Sequence, residues 1–204
     1  EPDCVLGFSD LQADIASALI RAGVQVTVFN QRSVQQIMDV LFQIAALVDR
    51  AEAGKVLLDA MRAEIQRIRL ESSAWPVRPR VYFEEWDEPR ISAIAWVSEL
   101  IAVAGGDDIF PELARQPLGK DRILADDRDI WARQPDIVIG SWCGKKFRPD
   151  RVASRPGWQV VPAVAQQQLF EIKSADILQP GPAALTDGLQ QLHRIMQDWV
   201  HRHA

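Results

Sequence analysis

Cysteine and histidine are scarce in this 204-residue chain. It has two cysteines, Cys4 and Cys143, and three histidines, His193, His201 and His203, all near the C-terminus. No close-spaced Cys/His set reads as a metal site, and two cysteines do not fix a redox compartment. No apolar run approaches the ~20 residues of a membrane-spanning helix. No basic segment leading into an apolar stretch opens the chain, so no secretory leader is visible. The chain starts on Glu1 rather than Met, which leaves open what precedes it. A basic stripe is missing too. Lys and Arg are scattered and the net charge is −5, which argues against a nucleic-acid surface. There is no short-period repeat and no low-complexity tract.

What is present is the composition of a soluble globular protein, 48% hydrophobic and 25% charged. The length suits one sizeable domain or two small ones. One phrase occurs twice: Pro2-Asp3-Cys4-Val5-Leu6-Gly7-Phe8-Ser9 and Pro135-Asp136-Ile137-Val138-Ile139-Gly140-Ser141-Trp142. Each copy is a Pro-Asp turn, a short apolar run and a glycine. Such a run fits a strand of a parallel sheet, buried on both faces. In open α/β sheets ligands bind outside the C-terminal ends of such strands.

Hydrophobic spacing predicts the order of elements. Residues 3–8 read as a strand, and Asp10–Ala22 as a helix ended by Gly23. Val24–Phe29 reads as a strand, and Ser33 as the N-cap of a helix to about Val48. This βαβα unit points to parallel pairing. Ala51–Ser72 is one long helical pattern that bridges two units (1–50 and 76–204), with the bridge at 51–75. Val81–Trp86 is a strand, Ile91–Ala104 a helix stopped by Gly105-Gly106, and Asp129–Gln134 a short helix. Ile137–Gly140, Val160–Val161 and Leu169–Ile172 read as strands. Pro149–Ser154 reads as a short helical turn, and Pro182–His201 as the last helix. The predicted fold class is α/β, two lobes with parallel-type sheets flanked by helices and joined by one long helix.

Seven tryptophans stand between Trp75 and Trp199. Trp96 and Trp199 fall in helical patterns and read as core. Trp86 and Trp142 each follow an apolar strand, where a ligand would sit. Cys4 reads as a buried free thiol, and Cys143, in a Gly-flanked loop, as exposed.

Three segments carry candidate chemistry. In Glu84-Glu85-Trp86-Asp87-Glu88, alternation puts Glu84 and Glu85 on opposite faces. They read as a catalytic carboxylate pair, as a carboxylate and a Trp lining a ligand cleft, or as a solvated loop. In Ser141-Trp142-Cys143-Gly144-Lys145-Lys146-Phe147, a Cys nucleophile would need a His base, and the histidines all lie in the last helix or tail. The segment lacks the Gly-Lys-Ser/Thr ending of a phosphate loop. Trp142 with Lys145 suits a large planar or amide-rich ligand. Ser174-Ala175-Asp176-Ile177-Leu178-Gln179-Pro180-Gly181-Pro182 is a stiff connection, and with the strand before it forms a third loop on the same edge.

Three of these features together resemble a known family: the bridging helix, the strand Arg80–Trp86, and Val97-Ser98-Glu99-Leu100-Ile101-Ala102-Val103-Ala104-Gly105-Gly106-Asp107-Asp108-Ile109-Phe110. The last is similar to the helix-Gly-Gly-acid-x-x-Phe segment of the helical-backbone class (class III) of substrate-binding proteins. These serve ABC importers of vitamin B12, ferric siderophores and haem. Phe-Glu-Glu-Trp and Gly-Ser-Trp-Cys-Gly-Lys-Lys-Phe resemble the cobalamin-binding branch. The resemblance implies a ligand held between two lobes by Phe8, Ser9 and Asp10, with Asn30 and Gln31 beside them. Facing these would be Glu85, Trp86 and Asp87, then Trp142, Cys143 and Lys145, then Ile177, Leu178 and Gln179. It also implies docking on a membrane permease, with Asp14 as a loose positional candidate, and an extracytoplasmic location, a cytoplasmic sensor on the same fold being an alternative. Family members carry roughly fifty further residues before the position of Glu1, so the first lobe is expected to be incomplete and to self-associate through its open edge. The expected function is non-catalytic binding of cobalamin or a similar chelate, with no resident cofactor. The rival is an enzyme using Glu84, Glu85 or Asp87 as acid/base, or Cys143 as nucleophile.

Overall fold

The computed structural model describes residues 2–204. The first unit opens with β1 (Val5–Phe8), passes through a tight helical turn at Asp10–Gln12 into α1 (Ala13–Arg21), and returns as β2 (Val26–Phe29). β1 and β2 lie parallel in a two-stranded sheet. Parallel pairing needs a crossover, and α1 supplies it. The Ser33 hydroxyl accepts the Gln36 N–H at 3.2 Å and so caps α2 (Val34–Leu47).

The 23-residue α3 (Ala51–Ser73) follows, about 35 Å long at 1.5 Å per residue. Leu58, Met61, Ile65 and Ile68 recur at helical spacing and are buried, while Arg67 on the outer face pairs with Glu64 and Glu71. A Cβ at Gly54 would collide with Ala45, so glycine there allows α2 and α3 to pack closely.

The second unit runs β3 (Arg80–Asp87), β4 (Arg90–Ser92), α4 (Ala95–Ala104), β5 (Asp107–Asp108) and α5 (Pro111–Ala114). It continues with α6 (Asp127–Arg133), β6 (Ile137–Gly140), α7 (Pro149–Ala153), α8 (Pro162–Ala165), β7 (Leu169–Glu171), α9 (Ser174–Ile177) and α10 (Leu189–His203). Its sheet has the order β4-β3-β6-β7, with β5 also on β3. β6 is parallel to β3 and β7, and β4 is antiparallel to β3.

The alternation of strand side chains divides the core. Val81, Phe83, Ile137 and Ile139 join one apolar cluster with α4 and α10, while Tyr82 and Val138 face a second cluster with Phe110, Trp142, Phe147 and Trp158. Both faces of β3 and β6 are therefore covered, as in a parallel sheet. The first cluster continues into Ile37 and Met38 of α2 and Leu58 to Ile68 of α3, so packing is unbroken from the first unit to the second.

Four sequence expectations are corrected. Residues 90–92 are not the start of a helix. The chain reverses at Glu88-Pro89 and pairs back on β3, so the helix begins only at Ala95. Residues 160–161 are not a strand. Trp158–Val160 is a tight helical turn, and Pro162, which has no N–H for a ladder, opens α8. The last helix is not regular from Pro182. A wide π turn at Ala184–Gly188 precedes α10, where Gly188 passes close to the Asp176 carbonyl. Cys4 is half-buried rather than buried, because its two-stranded sheet is thinly covered, whereas Cys143 is exposed. No described helix is long and apolar enough to cross a membrane.

Candidate functional site

The C-terminal ends of β3 and β6 lie side by side, with the Ser141 N–H donating to the Glu84 carbonyl at 2.9 Å. The chain leaves β3, β6 and β7 in three loops on this edge. Facing them is the end of β1, where Ser9 turns sharply with φ 76° and Phe8 lies under Arg32, 5.3 Å from ring centre to guanidinium. Besides the shared apolar core, two hydrogen bonds among the described residues join the units. Gln31 Nε2 donates to the Pro180 carbonyl at 3.0 Å, and Val34 N–H donates to Glu99 at 2.7 Å.

Two hollows adjoin at the ends of β3 and β6 and form one groove, and the first of them lies between the units. One, of 330 Å³, is lined by Phe8, Ser9, Leu11, Gln12 and Arg32 from the first unit and by Glu85, Ile94, Trp96, Pro117, Leu118, Gly119, Arg122 and Leu178 from the second. The other, of 510 Å³, is lined by Glu85, Trp86, Ile91, Cys143, Leu178 and Gln179. Glu85 and Leu178 belong to both. The volumes fall in the range of about 300–1,000 Å³ seen for small-molecule sites. Another hollow, of 480 Å³, opens between α1 and Val28. The candidates Ser9 and Asp10 line it, but no residue of β3, β6 or the loops that follow them does.

Phe8, Ser9, Glu85, Trp86, Cys143, Leu178 and Gln179 thus come together around one groove. The other candidates stand behind or beside it. Trp142 is buried in the second cluster, 4% exposed, with its indole N–H donating to Glu84 at 3.1 Å. Its apolar ring packs edge-on against Phe147, which removes it from the surface expected for a ligand contact. Ile177 is wholly buried, and its carbonyl accepts the Trp96 indole N–H. Asp87 is buried and paired with Lys145, whose ammonium rests 4.3 Å from the Trp86 ring centre and 5.3 Å from that of Trp142. Lys145 therefore braces Trp86, whose indole N–H is fixed on the Glu88 carbonyl at 2.9 Å. Asp10 pairs with Arg32 at 3.3 Å. Asn30 accepts from Arg32, Gln31 is buried, and Asp14 is exposed on α1.

The acidic strand end is not a solvated loop. Glu84 is fully buried and accepts two bonds from Arg155, at 2.7 and 2.8 Å, and one each from Trp142 and Tyr82. Burial, with the Glu84 carboxylate beside it, holds the Tyr82 hydroxyl well above its ordinary pKa. Glu85, on the opposite face, is held by Arg122 at 2.6 and 3.2 Å.

Sequence reading missed Arg32, Arg122 and Arg155. Arg32 follows the Asn30-Gln31 loop already singled out, so its place was within reach. Arg122 and Arg155 come from irregular segments far in sequence from their carboxylates, and no local pattern marks them. Among the described residues no cluster of three or more His, Cys, Asp or Glu is placed to hold a metal ion.

A profile of the family described as periplasmic binding protein matches residues 1–175. Among curated proteins, none matches the sequence. Solved structures share the fold. The periplasmic haem-binding protein BhuT, in complex with two haems, is 23% identical with a TM-score of 0.79, the match covering 98% of this chain and 76% of that one. The vitamin B12-binding protein BtuF of Vibrio cholerae is 17% identical with a TM-score of 0.70, covering 97% and 74%. A possible iron-binding, periplasmic solute-binding protein of Staphylococcus epidermidis is 19% identical with a TM-score of 0.78, covering 95% and 76%.

Proposed function

The chain belongs to the periplasmic binding protein family, and from that premise we propose that it binds cobalamin or a similar large metal chelate in the groove between its two units and delivers it to an ABC importer outside the cytoplasm. The observation that carries this reading is the groove itself: Phe8 and Arg32 from one unit share a hollow with Glu85 and Leu178 from the other, and Trp86 lines the adjoining hollow that Glu85 and Leu178 also border. Trp86 offers a flat, braced apolar surface, and Gln12, Gln179 and Glu85 offer polar contacts around it, the mixture a ring-shaped, amide-bearing ligand needs. The solved relatives named for haem and vitamin B12 binding keep the same fold. Asp14, exposed on α1, is the position proposed to meet the permease.

The groove is built to bind rather than to catalyse. Glu84, Glu85 and Asp87 are each engaged by a cation, from Arg155, Arg122 and Lys145. A general acid or base needs a carboxylate free to exchange its proton with substrate. Cys143 shares its hollow with no histidine. His193 sits elsewhere, stacked on Trp75 beside Glu71.

Tryptophan fluorescence titrated with cyanocobalamin tests the reading, because Trp86 lines the groove. Saturable quenching is expected, together with protection of the Cys143 thiol from maleimide. Free labelling of Cys143 and unquenched fluorescence in the presence of corrinoid, haem and ferric siderophore would reject it.

A further inference from the structure

Charge around the groove comes in compensated pairs. Arg122, 1% exposed, lies at the floor and donates to both Glu85 oxygens and to the Ser92 carbonyl. On the facing wall Arg32 pairs with Asp10 and donates to Ser9 and Asn30. Beside Trp86, Lys145 pairs with Asp87. Among the described residues lining the two hollows, the charged ones are Arg32, Glu85 and Arg122, and each has a counter-ion.

Resting on the chelate-binding reading above, we propose that this groove selects an uncharged, donor-rich chelate over an anionic one, with Glu85 as the ligand-facing acceptor and Arg122 as the residue that positions it. An anion entering a partly desolvated groove gains where an uncompensated cation awaits it. Here each cation already faces a carboxylate, so its charge is compensated although the buried Nε–H of both Arg32 and Arg122 has no hydrogen-bond partner. To take Arg122 for itself, an anion would have to leave Glu85 uncompensated at a site that is mostly shielded from water. Glu85 keeps spare acceptor capacity, because an ionised carboxylate has about four acceptor sites and Arg122 occupies part of them. Its side chain, 22% exposed, borders both hollows. Amide N–H donors on a neutral ligand satisfy what remains. A ligand carboxylate would meet Glu85 as a like charge.

The test compares two probes, cyanocobalamin, rich in amides, and haem, which carries propionate carboxylates, by fluorescence quenching, with folding followed by circular dichroism. The wild type is expected to prefer the corrinoid. Glu85→Gln keeps the shape, removes the negative charge and exposes the Arg122 cation. It should shift the affinity ratio toward haem by about tenfold or more, the scale of one charge-assisted hydrogen bond. Asp10→Asn, at a side chain 59% exposed, uncovers Arg32 and should shift the ratio the same way by less. Arg122→Met leaves Glu85 uncompensated and should move the ratio the opposite way. Loss of structure alone would weaken both probes together. A wild type that prefers haem, or a ratio unmoved in Glu85→Gln, overturns the selectivity and leaves the chelate-binding reading standing. A wild type quenched by neither probe, nor by a ferric siderophore, overturns that reading and the selectivity with it. If Glu85→Gln does not fold, Asp10→Asn decides alone: a shift toward haem sustains the proposal and an unmoved ratio overturns it.

Discussion

The same Pro-Asp-x-Val-x-Gly phrase makes a strand in both units, yet the two strands live in different surroundings. Leu6 in β1 and Ile139 in β6 hold the same place in the phrase. Leu6 is 47% exposed and Ile139 is 0% exposed. β6 has β3 on one side, β7 on the other and an apolar cluster on each face. Among the described residues β1 pairs with β2 alone, and α1 beside it buries no residue. Ile15 and Ile20 of α1 and Val28 of β2 are also largely open. Local sequence sets the strand. The number of neighbours sets how much stability that strand carries.

The largest effect that would sharpen this contrast comes from the buried ion pair behind β3. Arg155→Met leaves Glu84 charged, wholly buried and without its guanidinium. That should cost about 3–5 kcal/mol in a denaturant melt. A cost under about 1 kcal/mol would show that the second unit is less tightly sealed than its burial indicates. Next come the matched strand positions. Ile139→Ala should cost about 2–5 kcal/mol, whereas Leu6→Ala should cost about 1 kcal/mol or less, because half of Leu6 already meets water. Equal costs would break the comparison and mean that something covers β1 in solution.

The contrast also explains how far the sequence could be read. Strands β1, β2, β3, β6 and β7, the 23-residue α3 and the Ser33 cap were legible because each rests on spacing or a cap within a few residues. The chain reversal into β4 was not, since Ile91 looks helical until pairing with the end of β3 claims it. At the site, the three loops followed from where apolar strands end. The division of labour within them did not. Trp86, near the end of β3, and Trp142, just past β6, look alike in sequence, and only packing puts Trp86 in the groove and Trp142 behind it. The arginines that neutralise Glu84 and Glu85 come from distant irregular segments, which no periodicity reports.

Within the first unit, the α2 cap offers a smaller effect. Ser33→Ala removes the acceptor for the Gln36 N–H and should cost about 1 kcal/mol. The loss should match that of an exposed helix cap, because α2 also anchors the first unit to the shared core through Ile37 and Met38 and those contacts are untouched. A loss several-fold larger would mean that the α2 N-terminus governs how the two units join through Val34 and Glu99.

The smallest expected effect is a pH signature that burial leaves in the second unit. Burial raises the pKa of Asp108 above its ordinary 3.8, against the pull of hydrogen bonds from Ser98 and the Phe110 N–H. A carboxyl whose pKa is raised on folding binds its proton more tightly in the folded state. Its favourable contribution is therefore complete below the unfolded pKa and is lost as pH rises through the folded one. Asp108→Asn cannot ionise, and its side-chain oxygen can still accept the Phe110 N–H, which Asp108 accepts at 3.0 Å. Relative to wild type, the variant should gain stability as pH rises above the ordinary value of 3.8, and the gain should level off above the folded pKa. Melts of both proteins across that range check it. A difference that stays flat with pH would mean that water reaches Asp108, and that the second unit is open at an acid where burial should outweigh hydrogen bonding.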